Sequence, residues 1–205
     1  MPIGSFISNY NIKKNLKKNY ENLFISIYRP WRKLPDSYYE LLKTVNIFFS
    51  NKVNGKLYIL GAMIANSQKE KNFYDKLLNN TDYTFLPRFV GRPTYDIVDQ
   101  SKIILATEST LAYEAFGRGN KVAYFSLSKS SYPEITAKFG WPSNKRNCGP
   151  FWTNSAKIKT FARLMDYLNN LKYEDYYKIL NKYSSDLIKF DEGNKKFIKL
   201  INKLI

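Results

Sequence analysis

Apolar and polar positions along the chain fall into short continuous apolar runs separated by amphipathic stretches. Leu23–Tyr28 (LFISIY), Lys56–Met63 (KLYILGAM), Thr84–Leu86, Lys102–Thr107 (KIILAT) and Lys121–Ser126 (KVAYFS) are runs of strand length. The stretches between them, Ser37–Phe49, Gln68–Asn79, Pro93–Gln100 and Thr110–Arg118, carry apolar residues at three- and four-residue spacing and predict helices. Asp36 or Ser37 would cap the first of these, and Pro93 suits the first turn of the third. Strands that alternate with helices imply βαβ units. Continuously apolar strands imply a sheet covered on both faces. The expectation is an α/β, Rossmann-like, mostly parallel sheet of about six strands with flanking helices. From Ser128 to Asn154 the chain is rich in Ser, Pro, Gly and Asn and reads as a long loop. From Ser155 onward it is helical again. The domain expectation is a linker-like segment over 1–20, a Rossmann-like domain over 21–154 and a C-terminal helical appendage over 155–205.

Composition narrows the chemistry. The chain has 205 residues and no histidine, which excludes Ser-His-Asp and Cys-His catalysis and any His-ligated zinc. A single cysteine, Cys148, excludes an intramolecular disulfide and a thiolate zinc site. No metal or cofactor is expected, and acid–base chemistry would fall to Asp, Glu, Tyr or Lys, although no residue stands out as catalytic. The formal charge of +16 favours anionic partners: nucleotides, phosphates, nucleic acid or an anionic membrane face. The lysines are scattered, and no nucleic-acid-binding signature accompanies them, so nucleic acid is not expected. No apolar run reaches membrane-spanning length and no signal peptide opens the chain, so the expected location is the cytoplasm, with the inner membrane face as a variant.

The most informative stretch is Ile103–Ser126, IILATESTLAYEAFGRGNKVAYFS. A strand ends in a small polar loop, Thr107-Glu108-Ser109-Thr110, and a helix starts at once. Ligands of open α/β sheets bind outside the carboxyl ends of the strands, and a helix N-terminus favours phosphate. Ser109 and Thr110 would add hydroxyl donors there, and the two oxygens of Glu114 could accept both hydroxyls of a ribose. The plainer alternative is that Ser109 caps the helix and Glu114 is solvated. Glu114 is not the partner of a capping box, which would sit at Ala112.

STLAYEAFGRGNKVAYFS resembles the sugar-nucleotide-binding motif of GT-B glycosyltransferases and their epimerase relatives. It is similar, more closely, to a bacterial family of surface carbohydrate biosynthesis proteins. The likeness extends through YDIVDQSKIILATESTLAYEA, FGWP and GPFWTN, and PIGSF near the start resembles that family's interdomain segment. It implies one half of a GT-B fold, the lobe that grips a nucleotide-sugar, with Ser109 and Thr110 at the phosphate, Glu114 at the ribose and Arg88 near the nucleotide. It also implies a glycan or lipid-linked acceptor on an N-terminal lobe, expected here as a separate polypeptide, a missing segment or a self-association surface. The lack of histidine departs from relatives that carry a His-Pro motif for CMP-activated acidic sugars, and leaves the donor open.

Further candidates for sugar or phosphate contact are Arg29, Trp31 and Arg32 after the first strand, Gly61 after the second, and Trp141 in the long loop. Each has a plainer reading: loop packing for Trp31, a turn for Gly61, a surface position for Arg88. Phe151 and Trp152 read as anchors of the long loop. Two rival functions remain beside the transferase lobe: a non-catalytic nucleotide-binding module or split-enzyme remnant, and an epimerase-like enzyme, which the absence of histidine and of an acidic cluster disfavours.

Overall fold

The computed structural model describes residues 5–10, 17–88, 94–127, 139–140, 145–184 and 187–204. Its centre is a six-stranded, entirely parallel sheet in the order β3-β2-β1-β4-β5-β6. The strands are β1 (Tyr20–Ile25), β2 (Leu57–Leu60), β3 (Tyr83–Leu86), β4 (Ser101–Ala106), β5 (Lys121–Phe125) and β6 (Trp152–Thr153). β1 and β4 lie side by side at the centre, with Asn22 opposite Ile103. From β1 the chain builds outward to β3, then returns to β4 and builds outward on the other side. The neighbourhood of β1 and β4 is therefore the topological switch point, where loops leaving the carboxyl ends diverge and open a crevice.

The helices are α1 (Phe6–Tyr10), α2 (Asp36–Ser50), α3 (Ser67–Leu77), α4 (Thr94–Asp99), α5 (Thr110–Gly117), α6 (Ile158–Asn170), α7 (Tyr173–Ser184) and α8 (Lys195–Ile201). β4 and β5 bury nearly every side chain, as strands covered on both faces must. α6 buries Phe161, Leu164, Met165 and Leu168, an i, i+3, i+4, i+7 face laid on β5 and α2. All four are fully enclosed, each contributing roughly 1.5–3 kcal/mol of apolar burial. The C-terminal segment is helical, as its periodicity predicts, and α6 is a layer of the same core.

Several elements differ from the sequence expectation. α2 starts at Asp36, with Pro35 before it and no side-chain cap. β1 and β2 stop short of Tyr28 and Met63, because buried side chains of α3 take the polar groups that continue them. Glu70, on α3 and fully enclosed, accepts the N–H groups of Ala62 (2.9 Å) and Met63 (3.0 Å) and the Ser26 hydroxyl. The Tyr74 hydroxyl donates to Ser26 Oγ and accepts from the Ile27 N–H, both at 2.9 Å, and burial pushes its pKa well up, so it stays protonated. Hydrogen bonds to side chains thus replace ladder bonds at the end of both strands. Glu70→Gln keeps the volume but loses acceptors, and is expected to cost roughly 1–3 kcal/mol in chemical denaturation. An unchanged midpoint would mean that these loops are held by other contacts.

A further difference is β6, inside the stretch read as loop. Phe151 and Trp152 are buried, Trp152 stacked on Phe139 (4.7 Å) and Phe151 on Phe116 (4.8 Å). Tyr124 and Ser126 donate to the carbonyls of Phe151 and Thr153. Two residues are too few for periodicity to reveal a strand.

Candidate functional site

The crevice at the switch point holds a cleft of about 240 Å³. One wall is the loop after β1 with the start of α2: Ser26, Ile27, Arg29, Arg32, Leu34, Pro35 and Tyr38. The other is the loop between β4 and α5: Thr107, Glu108 and Ser109. Both loops leave neighbouring parallel strands at their carboxyl ends, so two segments about 75 residues apart in sequence face each other.

Of the residues singled out in the sequence, the cleft gathers Arg29, Arg32, Thr107 and Ser109. Ser109 has extended backbone and makes no side-chain capping bond to α5, so the plain capping reading does not describe it. Its N–H donates to the Thr107 carbonyl at 2.7 Å, closing the tight turn that leads into the helix. Thr110 is exposed at the first position of α5, next to the lining. Arg29 is exposed, and its guanidinium donates to the Tyr28 carbonyl at 2.7 Å.

The other candidates lie elsewhere. Glu114 is buried one turn into α5; its Oε1 accepts from the Ser5 hydroxyl (2.5 Å) and its Oε2 from the Tyr95 hydroxyl (2.9 Å). Burial and then the bond to Glu114 push the Tyr95 hydroxyl above its ordinary pKa, so it remains a donor. The solvated alternative for Glu114 fails on burial, and its two oxygens are engaged inside the chain. Arg88 is exposed after β3 and acts electrostatically on Tyr95. Trp31 is 70 % exposed and does not line the cleft. Gly61 is buried, and a Cβ there would meet the Phe85 ring at 3.1 Å, the Arg88 backbone and Glu70. Its missing side chain makes room for the protein's own packing. Trp141 lies outside the described residues.

Among the cleft residues missed as candidates are Tyr38 and Glu108, whose side chains hydrogen-bond to each other across it. Glu108 sits within the Thr107–Thr110 loop and is its one charged residue, which was the available signal. Nothing in the sequence links Tyr38 to it. Among the described residues no group of three or more Asp, Glu or Cys side chains is gathered to hold a metal ion, and no helix is long and apolar enough to cross a membrane.

A family model described as "putative O-antigen biosynthesis protein" matches residues 1–205. No curated protein sequence matches the chain. Among solved structures, the chain is similar to a "putative UDP-N-acetylglucosamine 2-epimerase" from Listeria monocytogenes, with TM-score 0.60, 10% identity, and coverage of 98% of this chain and 52% of that one. It is similar to the UDP-GlcNAc 2-epimerase from Neisseria meningitidis bound to UDP-GlcNAc (TM-score 0.52, 16% identity, 92% and 45%). It is also similar to the wall teichoic acid polymerase TagF (TM-score 0.54, 8% identity, 97% and 45%). The chain spans about half the length of these structures. At such identities the likeness concerns the fold: a Rossmann-like α/β unit of the GT-B type.

Proposed function

The chain belongs to the O-antigen biosynthesis protein family, and on that premise we propose that it is the nucleotide-sugar-binding lobe of a surface-polysaccharide glycosyltransferase. The observation that carries this reading is the cleft itself: two arginines from the β1 loop face the N-terminal turn of α5 at the switch point. Arginine forks match diphosphate oxygens in two-pronged geometry, and the helix end adds N–H groups and a favourable dipole. Both act where charge develops as a sugar leaves its nucleotide, so the lobe assists transfer by positioning the donor and stabilising the departing diphosphate. A ribose on Glu114 would have to displace the Ser5 and Tyr95 hydroxyls, so that role requires the N-terminal segment to shift.

The acceptor, a glycan or lipid-linked saccharide, is held by a second lobe, whether on the same polypeptide, on another one or on a second copy. α1 and α8 support a place at an anionic membrane face. Phe6 packs edge-on against Phe197 at 4.7 Å, and the rest of this surface leaves Ile7, Tyr10, Ile198, Leu200 and Leu204 exposed. Lys195, Lys196, Lys199 and Lys203 occupy the opposite arc of the same helical stretch. The expected result is co-sedimentation with vesicles containing phosphatidylglycerol, weaker at high salt and roughly tenfold weaker in Lys195→Glu/Lys199→Glu. Equal binding to neutral vesicles would contradict the charged-face reading.

Thermal shifts with UDP, GDP, CDP, dTDP and CMP test the nucleotide reading. One base is expected to raise the melting temperature, and Ser109→Ala to reduce that rise. No shift with any of them contradicts it. Product analysis with the corresponding sugar nucleotide separates transfer from epimerisation.

A further inference from the structure

The carboxylate that faces the cleft is Glu108, not Glu114. Both oxygens of Glu114 bond within the chain, and it is buried below the lining. Glu108 is exposed and shares the cleft with Arg29, Arg32, Tyr38 and Ser109. The Tyr38 hydroxyl, one turn into α2, donates to its Oε2 and fixes the carboxylate across the opening. A carboxylate accepts up to about four hydrogen bonds, so a group held in this way still presents an acceptor to a ligand.

A carboxylate is the wrong group for binding phosphate alone. One residue from Ser109 it repels a diphosphate, and the two arginines have to offset it. What it recognises is the part of a ligand that carries hydroxyl or ammonium donors, and it penalises a ligand carboxylate in the same place. Resting on the nucleotide-sugar reading of this cleft, we propose that Glu108 is its specificity-determining residue: it accepts hydrogen bonds from the transferred sugar and excludes acidic sugars. The donor is then a nucleoside diphosphate joined to a neutral or amino sugar. The same arrangement makes the arginines readers of diphosphate and leaves discrimination between sugars to the Glu108–Tyr38 pair, one from the loop after β4 and one from the start of α2. A site built to receive donors from its ligand rejects an analogue that cannot supply them more strongly than an apolar pocket rejects a missing methylene.

Calorimetric titration of the full chain with UDP, UDP-glucose and UDP-glucuronate, or with the same trio on whichever base shifts the melting temperature, tests this. The wild type is expected to bind the neutral conjugate roughly tenfold more tightly than the acidic one. Glu108→Gln keeps the shape and the hydrogen bond to Tyr38 while removing the charge. It is expected to bind the bare diphosphate roughly two- to threefold more tightly and to lose the preference for the neutral sugar. Tyr38→Phe, which removes the Tyr38 bond to the carboxylate, is expected to weaken the neutral conjugate while leaving the acidic one disfavoured. A tighter bare diphosphate together with a lost preference between the two conjugates in Glu108→Gln is a signature that a merely structural role would not give. Equal weakening of all three ligands in that variant, or a wild-type preference for the glucuronate, would overturn the assignment while leaving nucleotide binding intact. If no nucleoside diphosphate binds the wild type, the reading of the cleft fails first and this one with it.

Discussion

Asp99→Ala is expected to lower folding stability by about 3–5 kcal/mol, enough to leave the chain largely unfolded or insoluble at 37 °C. Asp99 and Arg118 form an ion pair with side chains only 2% and 1% exposed. The Arg118 Nε donates to Asp99 Oδ1 at 3.1 Å, its second nitrogen to Oδ2, and the Asn120 amide adds a bond to Oδ1 at 2.9 Å. The remaining guanidinium nitrogen donates to the Ser8 carbonyl at 2.8 Å, and the rings of Tyr95 and Phe190 lie 5.0 and 4.6 Å from its centre. Removing the carboxylate strands a buried cation without its partner, which is why breaking such a pair costs more than the pair contributes. The double variant Asp99→Ala/Arg118→Met is expected to recover part of the loss, giving a coupling of roughly 1–3 kcal/mol in the cycle with its two single variants. Urea midpoints measure it. An additive double variant would show that the two residues act apart.

This cluster also matters for the site. It joins the end of α4, the end of α5, the N-terminal segment and the segment before α8, and Lys18 extends it by donating to the Asp99 carbonyl at 2.7 Å. α5 is short, so fixing its C-terminal end at Arg118 sets the direction in which its first turn meets the cleft.

The second large effect is on binding. Arg29→Ala/Arg32→Ala is expected to weaken nucleoside diphosphate affinity by roughly 100-fold, since each charged hydrogen bond to phosphate is worth about 1.5–3 kcal/mol. Because Arg29 is exposed and both residues sit in a loop, the melting temperature of the free chain is expected to stay within about 2 °C of wild type. Arg32→Lys is expected to recover only part of the affinity, since an ammonium lacks the planar fork. Calorimetric titration at two salt concentrations checks both variants. A change of less than twofold in the double variant would remove the arginines from the site.

Much of this architecture is legible in the sequence, and the parts that are not share a cause. Apolar runs mark β1, β2, β4 and β5, because burial on both faces leaves no choice of residue type there. The turn from β4 into α5 is equally plain, since ATEST has nothing large and apolar between strand and helix. What the sequence does not show is long-range capture of polar groups. Glu70 looks like any charged residue of an amphipathic helix, yet it takes the backbone that follows β2 and the Ser26 hydroxyl that follows β1. Glu114 looks available to a ligand, yet Ser5, 109 positions away, holds one of its oxygens. Glu108 becomes a cleft residue only because the sheet order brings the β1 loop opposite it. Local pattern names the elements; partners supplied by topology decide which carboxylate is buried and which faces the cleft.

The most direct test of the central claim is a hydrogen-exchange footprint of the full chain, with and without the nucleoside diphosphate that raises its melting temperature. The account predicts slower exchange confined to residues 26–38 and 107–113, abolished in Arg29→Ala/Arg32→Ala. Saturable protection elsewhere, or none in these two loops, would contradict it.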